Sequence, residues 1–221
     1  MVSDPSLDHP VLLDVFRLSS EKEHLYDYAF HFLGQFMECN IKLTPHLTEQ
    51  HPFGERDGYQ HLWVEAEGDV KSGDGSLNFT WLEGNRYYTI TSAADSSTKV
   101  FFTRIGANDP NFNLRHEPAM ILRQKAASHV FASAVEPHGS FDGAKESTSG
   151  SEPFIRSVTV LADTDDGTVV RVIGNGAQER KEKLQWTLMI SNTNAGQNGK
   201  HTVKVGSETF SWNGNASLLR N

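Results

Sequence analysis

The feature of this 221-residue sequence that most constrains its fold is a strict alternation in residues 24–32 (HLYDYAFHF). Every second position carries a ring: Tyr26, Tyr28, Phe30 and Phe32. The intervening positions are Leu25, Asp27, Ala29 and His31. A period of two is that of a β-strand, because a helix would distribute these rings around its circumference. Four aromatic rings on one strand face need a deep apolar partner, so the pattern predicts a second sheet packed against this one.

Further strand candidates follow at short intervals and are separated by Gly, Asn, Asp or Pro. Apolar runs at 10–18, 119–123 and 129–136 are three of them, and the first ends at a polar turn, 19–23. Tight hairpin turns are predicted at 83–85, 165–167 and 206–207. Regular strand spacing without a long amphipathic helix predicts an all-β protein, a large antiparallel β-sandwich.

The domain organisation follows from the continuity of this strand pattern. The stretch 143–152 (GAKESTSGSE) is polar and reads as a loop or hinge, but strand candidates continue beyond it. We therefore assign residues 1–221 to one β-sandwich domain, with 143–152 as a loop inside it.

Composition excludes several classes of function. The net charge of −8, from 20 Lys and Arg against 28 Asp and Glu, argues against nucleic-acid binding, which relies on basic side chains. A single cysteine, Cys39, excludes an intramolecular disulfide framework and a Cys-rich zinc site. The ten histidines show none of the spacings typical of metal sites, so we predict neither a metal nor a cofactor.

The sequence gives little on cellular location. No apolar run approaches the roughly 20 residues that span a bilayer, so we predict no membrane contact. The first ten residues lack the basic and apolar regions of a signal peptide, and the compartment stays open.

The densest polar segment is 103–115 (TRIGANDPNFNLR), which follows a Phe-Phe strand. It contributes six candidate binding residues: Arg104, Asn108, Asp109, Asn111, Asn113 and Arg115. Guanidinium groups hold carboxylates in a bidentate manner, and amides suit sugar hydroxyls. The alternative is a capped loop, because Asp-Pro and Asn are also turn residues.

Two shorter segments add candidates. In 58–63 (GYQHLW), Tyr59 and His61 would form an aromatic platform for a sugar ring, although single aromatic residues on strands usually pack in the core. At 136–139 (EPHG), His138 ends an apolar strand and has the chemistry of a general base or ligand. The alternative is an ordinary turn histidine.

Three segments together resemble one family. They are 9–36 (HPVLLDVFRLSSEKEHLYDYAFHFLGQF), 58–63 (GYQHLW), and 103–123 with 129–142 (TRIGANDPNFNLRHEPAMILR and HVFASAVEPHGSFD). They resemble the C-terminal part of oligoalginate lyases, which belong to the heparinase II/III-like polysaccharide lyases. The resemblance is dense from about residue 10 to 141 and looser to about 190.

The resemblance implies a fold and a chemistry. Members of the family combine an N-terminal α/α toroid with a large antiparallel β-sandwich, and cleave uronate glycosidic links by β-elimination. A base removes the proton α to the uronate carboxylate, polar groups neutralise that carboxylate, and an acid assists the leaving oxygen. Family members are often exported or periplasmic.

The family's catalytic residues lie on the toroid and on earlier β-strands, and none maps onto this chain. We therefore expect a C-terminal β-sandwich module that lacks the toroid and is incomplete for catalysis alone. Its partners would be an alginate-like acidic polysaccharide or oligosaccharide, and a catalytic toroid chain or a second copy of itself. The alternatives are a stand-alone carbohydrate-binding or interaction module, and a lyase whose site another chain completes.

The net charge bears on how such a ligand would bind. A chain of −8 repels a polyanion at long range, but salt screens charges beyond about 10 Å at 0.1 M. Binding would then depend on a local basic patch, for which Arg104, Arg115 and Arg123 are the candidates.

Overall fold

The structure is a computed structural model that describes residues 1–71, 75–105, 117–174, 183–193 and 199–221. Over these residues the regular structure is β-strand, apart from one 3-10 turn at Tyr59–His61. The strands are β1 Leu12–His31, β2 Gln35–Cys39, β3 Thr44–Pro45, β4 His51–Pro52, β5 Leu62–Asp69, β6 Leu77–Glu83, β7 Arg86–Ser92, β8 Lys99–Ile105, β9 Glu117–His138, β10 Ser140–Asp142, β11 Ser147–Ser149, β12 Ile155–Asp163, β13 Gly167–Gly174, β14 Leu184–Ser191, β15 Lys200–Val205, β16 Glu208–Asn213 and β17 Ala216–Arg220.

Two long antiparallel strands organise the molecule. β1 has 20 residues and β9 has 22, and they pair from Leu12 with Val135 to His31 with Ala119. The register shifts between Ser19 and His24, where β1 contains more residues than β9. Such an irregularity bends a strand and increases its twist.

At this shift the β1–β9 ribbon folds back on itself. The Tyr28 hydroxyl donates to Asp14 Oδ2 at 2.6 Å, and the Tyr28 ring stacks on Phe131 with centroids 5.4 Å apart. Fourteen residues of a straight strand would span about 46 Å, so the two halves of β1 must face each other. The predicted strands at 10–18 and 24–32 are thus halves of one strand, and those at 119–123 and 129–136 are halves of another.

The fold-back creates two layers that share β1 and β9. The central layer contains β2, β6 and β7 beside the second half of β9 and the first half of β1. The outer layer contains the other halves with β8, β5, β3 and β4. Aromatic rings fill the space between them, and the alternation at 24–32 is confirmed because all four of its rings lie in this cluster. Phe32 lies 5.1 Å from Phe79 and 6.1 Å from Phe102, which belong to opposite layers.

A third layer, β12-β13-β14-β17, packs against the other face of the central layer. Alternate residues of β9 serve the two faces: Phe131 lies in the aromatic cluster, whereas Val130, Ala132 and Ala134 contact the third layer. The buried ring of Trp186 lies in this second core. The β15–β16 hairpin covers the far face of the third layer, where a Cβ on Gly167 would lie only 2.4 Å from the Trp212 ring.

The predicted all-β, antiparallel sandwich-like architecture is confirmed. The three predicted hairpin turns join β6 to β7, β12 to β13 and β15 to β16. The polar stretch 143–152 contains β11, which pairs with β10, so it is a small hairpin rather than only a loop. The assignment of residues 1–221 to a single domain stays a prediction.

Candidate functional site

The polar segment 103–115 divides at the end of β8. Arg104 lies on β8, whereas Asn108, Asp109, Asn111, Asn113 and Arg115 lie in 106–116, outside the described residues. β8 is held on one side by β5 and on the other by β9, so the base of this segment is fixed by hydrogen-bonded strands.

Arg104 is positioned by three neighbours in the outer layer. Its Nη2 donates to Gln50 Oε1 at 2.7 Å, and its Nε lies 3.0 Å from Glu65 Oε1. Trp63 is its cross-strand partner on β5, which places the indole and the guanidinium on the same face. An aromatic ring beside a guanidinium offers an apolar surface and a carboxylate-binding group on neighbouring strands.

Two histidines lie close by but on the other face of β5, because His51 pairs with Val64 rather than with Trp63. The rings of His46 and His51 meet edge to face with centroids 5.3 Å apart. His46 Nε2 lies 3.3 Å from Glu67 Oε1, and the His46 amide donates to the Glu65 carbonyl. We call Arg104, Gln50, Trp63 and Glu65 together the Arg104 patch. It carries polar hydrogen-bonding groups around one indole ring.

Tyr59 and His61 lie on the 3-10 turn but differ in their surroundings. The Tyr59 hydroxyl donates to Asp27 Oδ2 at 2.7 Å, and burial together with the Asp27 carboxylate raises the pKa of Tyr59 to about 12. His61 is exposed at the last position of the turn. The structure thus directs the Tyr59 hydroxyl into the protein and the His61 ring to solvent.

Asp27 also holds Arg123, the third arginine predicted to bind uronate. Arg123 Nε donates to Asp27 Oδ1 at 2.7 Å and Nη2 donates to Oδ2 at 2.8 Å. The guanidinium carbon lies 4.2 Å from the centre of the Phe53 ring and 5.4 Å from that of Phe101. The bidentate bond to Asp27 raises the pKa of Arg123. Because its fork is occupied by Asp27, Arg123 holds the turn against the outer layer.

His138 lies in the interior of the central layer. Its Nδ1 lies 2.9 Å from the Gly150 carbonyl and its Nε2 lies 2.8 Å from Thr89 Oγ1. A carbonyl only accepts, so Nδ1 carries the proton and Nε2 accepts from the Thr89 hydroxyl. Burial lowers the pKa of His138. Both ring nitrogens are engaged, and the ring links β9 and β7 to the turn after β11.

Glu136, two residues earlier, connects the central and third layers. Its two carboxylate oxygens accept from the Phe154 and Ile155 amides, each at 2.9 Å. The carboxylate is buried at the start of β12, where it satisfies two backbone donors. Both carboxylate oxygens of Glu136 and both ring nitrogens of His138 are thus hydrogen-bonded within the protein, which gives the two side chains a structural role.

Sequence reasoning missed a group of lysines in the outer layer. Lys42, Lys71 and Lys99 line a cavity of about 400 Å³ together with Phe101, Gly68 and Asp69. Each lysine is isolated in the sequence and belongs to no motif. The available signal is that two of them lie near strand ends, Lys71 two residues after β5 and Lys99 as the first residue of β8.

The described part of the chain contains no group of three or more His, Cys, Asp or Glu side chains arranged to hold a metal ion. Within the same residues there is no helix with the length and apolarity that spanning a bilayer requires.

Two known proteins that are similar to this chain are both named as alginate lyases. It is 33% identical over 223 residues to an exo-oligoalginate lyase of Saccharophagus degradans, a match that covers 99% of the chain and 29% of that protein. It is 30% identical over 221 residues to an alginate lyase of Stenotrophomonas maltophilia, with 99% and 28% covered. No family model matches the chain.

The chain thus spans less than a third of the length of these relatives, but the similarity runs over nearly all of it. An all-β, sandwich-like fold accompanies that similarity. Over its whole length the chain is homologous to part of the oligoalginate lyases, which confirms the family and the C-terminal β-sandwich part predicted from the three motifs.

Proposed function

We propose that this chain is the part of an alginate-degrading lyase that holds the acidic oligosaccharide, and that the Arg104 patch and the following segment 106–116 make the contacts. The observation that carries the proposal is the placement of Arg104 beside Trp63 at the end of β8. The names of the two relatives support an acidic polysaccharide as the ligand.

The chemistry of the Arg104 patch suits a uronate. A guanidinium binds a carboxylate through two parallel N–H donors, and an indole ring packs on the apolar face of a sugar. Gln50 is a neutral acceptor of Arg104, so its replacement by a uronate carboxylate would turn a hydrogen bond to a neutral oxygen into an ion pair. Because the chain is acidic overall, affinity would come from such short-range contacts rather than from its net charge.

The remaining predicted residues take two roles in this proposal. Arg115 would bind carboxylate, and Asn108, Asp109, Asn111 and Asn113 would bind sugar hydroxyls. The exposed His61 would be a further contact. Tyr59 and His138 would not contact the ligand. They would stabilise the layers around the site, because both are held by internal hydrogen bonds.

Titration calorimetry with purified alginate oligosaccharides tests the proposal. We expect Arg104→Ala and Arg115→Ala each to weaken binding by roughly tenfold, since each removes a charge-assisted contact. Arg156→Ala is the matched control, because Arg156 pairs with a glutamate, Glu152, but lies on β12 of the third layer rather than in the Arg104 patch. Equal affinity in all four proteins would refute the arginine contacts.

A chain that binds no oligosaccharide would contradict the proposal altogether. It would leave the alternative of an interaction module, which the outer edge of β1 favours. Among the described strands β1 pairs with β9 alone, and Leu12 and Phe16 are about half exposed on it. Ultraviolet absorbance of unsaturated uronate products measures separately whether this chain cleaves the polymer.

A further inference from the structure

We infer that the cavity lined by Lys42, Lys71 and Lys99 is a second binding site for carboxylate, and that it takes a uronate residue of an acidic oligosaccharide. This inference rests on the proposed function, which supplies the class of ligand. It adds a site that is separate from the Arg104 patch, because Lys99 and Arg104 are five residues apart and point to opposite faces of β8.

The three lysines converge from separate parts of the outer layer. Lys42 precedes β3, Lys71 follows β5, and Lys99 begins β8. All three are exposed, and all three line one cavity of about 400 Å³. The same cavity is lined by the carboxylates of Glu67 and Asp69, so three cations against two anions leave it a net charge of +1 in a chain of −8.

Close packing of the backbone fixes the position of Lys42. A Cβ on Gly68 would lie only 2.7 Å from the Lys42 carbonyl oxygen and 3.2 Å from Leu43 Cδ2, so the segment before β3 rests directly on β5. Ile41 is buried beneath it and Leu43 packs on the aromatic cluster. Since side chains alternate in an extended chain, these two anchors turn Lys42 outward to the cavity.

The base of the cavity is an aromatic ring of restricted mobility. Phe101 is buried and meets Phe53 edge to face with centroids 4.9 Å apart. Arg123 lies over both rings and is itself held by Asp27. A fixed ring below mobile ammonium groups offers an apolar surface for the carbon face of a sugar and donors for its carboxylate.

The carboxylates of the cavity do not close it to an anion. Asp69 Oδ1 lies 4.0 Å from Lys99 Nζ, and the two side chains are 73% and 61% exposed. A pair this long and this exposed contributes little, so a ligand carboxylate competes with it easily. The other acid of the lining, Glu67, has a partner within the protein, because His46 Nε2 lies 3.3 Å from its Oε1.

Another cavity of the described structure, larger than the one with the lysines, has the opposite charge. About 490 Å³ in volume, it lies between the central and third layers, and its titratable lining residues are Asp95, His129 and Asp163. Burial lowers the pKa of His129, whose neutral form does not offset the two carboxylates. Of these two cavities, only the one with the lysines suits a carboxylate ligand.

Calorimetry with a uronate trimer and a carboxyl-reduced trimer tests this site on the whole chain. We expect the double variant Lys42→Gln/Lys99→Gln to bind the uronate trimer roughly tenfold more weakly than the wild type, and with a smaller dependence on salt. The reduced trimer should bind wild type and variant alike. The control Lys200→Gln/Lys204→Gln removes the same charge from exposed positions of β15 and should change affinity by less than about twofold.

The outcomes separate this inference from the proposed function. If Arg104→Ala weakens binding and Lys42→Gln/Lys99→Gln does not, the lysine site is refuted and the Arg104 patch stands. If only the lysine variant loses affinity, the lysine site stands and the Arg104 patch falls. If both double variants weaken binding equally, the effect is one of net charge and the site is refuted. If the wild type binds no trimer, both are overturned.

Discussion

The two halves of the β1–β9 ribbon consist of the same two strands, yet they have different surroundings. In the central layer both faces of the β9 half are buried, one against the aromatic cluster and one against the third layer. In the outer layer one face meets the aromatic cluster, and the other carries Asp27, Arg123 and the neighbouring lysine cavity. One pair of strands thus contributes buried packing in the central half of the ribbon and polar surface groups in the outer half.

The sequence reflects this difference position by position. The β9 residues that face the third layer are Val130, Ala132 and Ala134, whereas the outward residues in the other half include Arg123 and Lys125. A strand that is buried on both faces needs apolar side chains at every position, and one that is buried on one face needs them at every second position. Substitutions in the two halves should therefore have different costs, and the following predictions test this.

The largest effect is expected where both faces are buried. Trp186→Ala removes a ring that is 1% exposed between the central and third layers and that donates to Asp4. The lost burial and the resulting cavity should lower the free energy of unfolding by about 3–5 kcal/mol, measured by urea denaturation. Leu219→Ala, at a 45% exposed position of the same layer, should cost less than about 1 kcal/mol. Similar costs for the two variants would contradict the burial of Trp186 in the core between the central and third layers.

A smaller loss is expected from the polar face of the outer half. Arg123→Ala leaves the Asp27 carboxylate, 9% exposed, without its bidentate partner. We expect a decrease of roughly 2–3 kcal/mol in the free energy of unfolding, at the lower end for a buried pair because Arg123 itself is 21% exposed. Arg17→Ala breaks an ion pair with Asp163 at the edge of the central layer, where both side chains are more exposed. Its cost should stay within about 1 kcal/mol, and a larger one would reverse the ranking.

The smallest effect is one of pH, and the buried His138 contributes to it. Burial lowers the pKa of His138 below the usual value of about 6.5, so the unfolded chain takes up a proton that the folded chain does not. This contribution to stability is complete above pH 6.5 and is lost as the pH falls toward the lowered pKa. His129, whose pKa is lowered in the same direction, adds to it.

We expect the free energy of unfolding to decrease by at most about 1.4 kcal/mol per pH unit for each histidine in this range. His138→Gln should flatten the pH dependence whatever its effect on absolute stability, and urea denaturation at several pH values measures the slope. His61→Gln is the control, because His61 is exposed on the 3-10 turn and should leave the slope unchanged. An identical slope in wild type and His138→Gln would exclude His138 as its source.

Local pattern predicted the strands and their faces, but not which of them are continuous. The turn at 19–23 was expected to separate two strands, and it is instead the bend within β1. The bend depends on pairing with Ala126 and Ser128, about a hundred positions further along the chain, and no local signal carries such information. The strand β11 inside 143–152 was missed for a different reason: it pairs locally with β10, but its three residues, Ser147–Ser149, carry no apolar pattern.

The residues of the candidate site that lie within a sequence motif were predicted, and the contacts that join distant parts of the chain were not. Arg104 and Trp63 lie next to recognisable motifs, and the structure brings them together on adjacent strands. The engagement of Tyr59 by Asp27, 32 residues away, and the convergence of three isolated lysines both depend on the folded layers. Long-range pairing therefore decides the part of the site that sequence alone could not provide.

The fold-back of the ribbon also governs how the chain acquires its structure. The Tyr26 hydroxyl bonds the carbonyl of Ala127, 101 positions later, so the central pairing closes only after most of the intervening chain has been synthesised. Contacts of such high sequence separation slow folding, because loop-closure entropy must be overcome before they form. Until β9 pairs with it, β1 is a 20-residue segment without its strand partner, and a chain in that state is the one most prone to aggregate. The yield of folded protein should therefore depend on temperature and concentration during refolding more than on the stability of the finished sandwich.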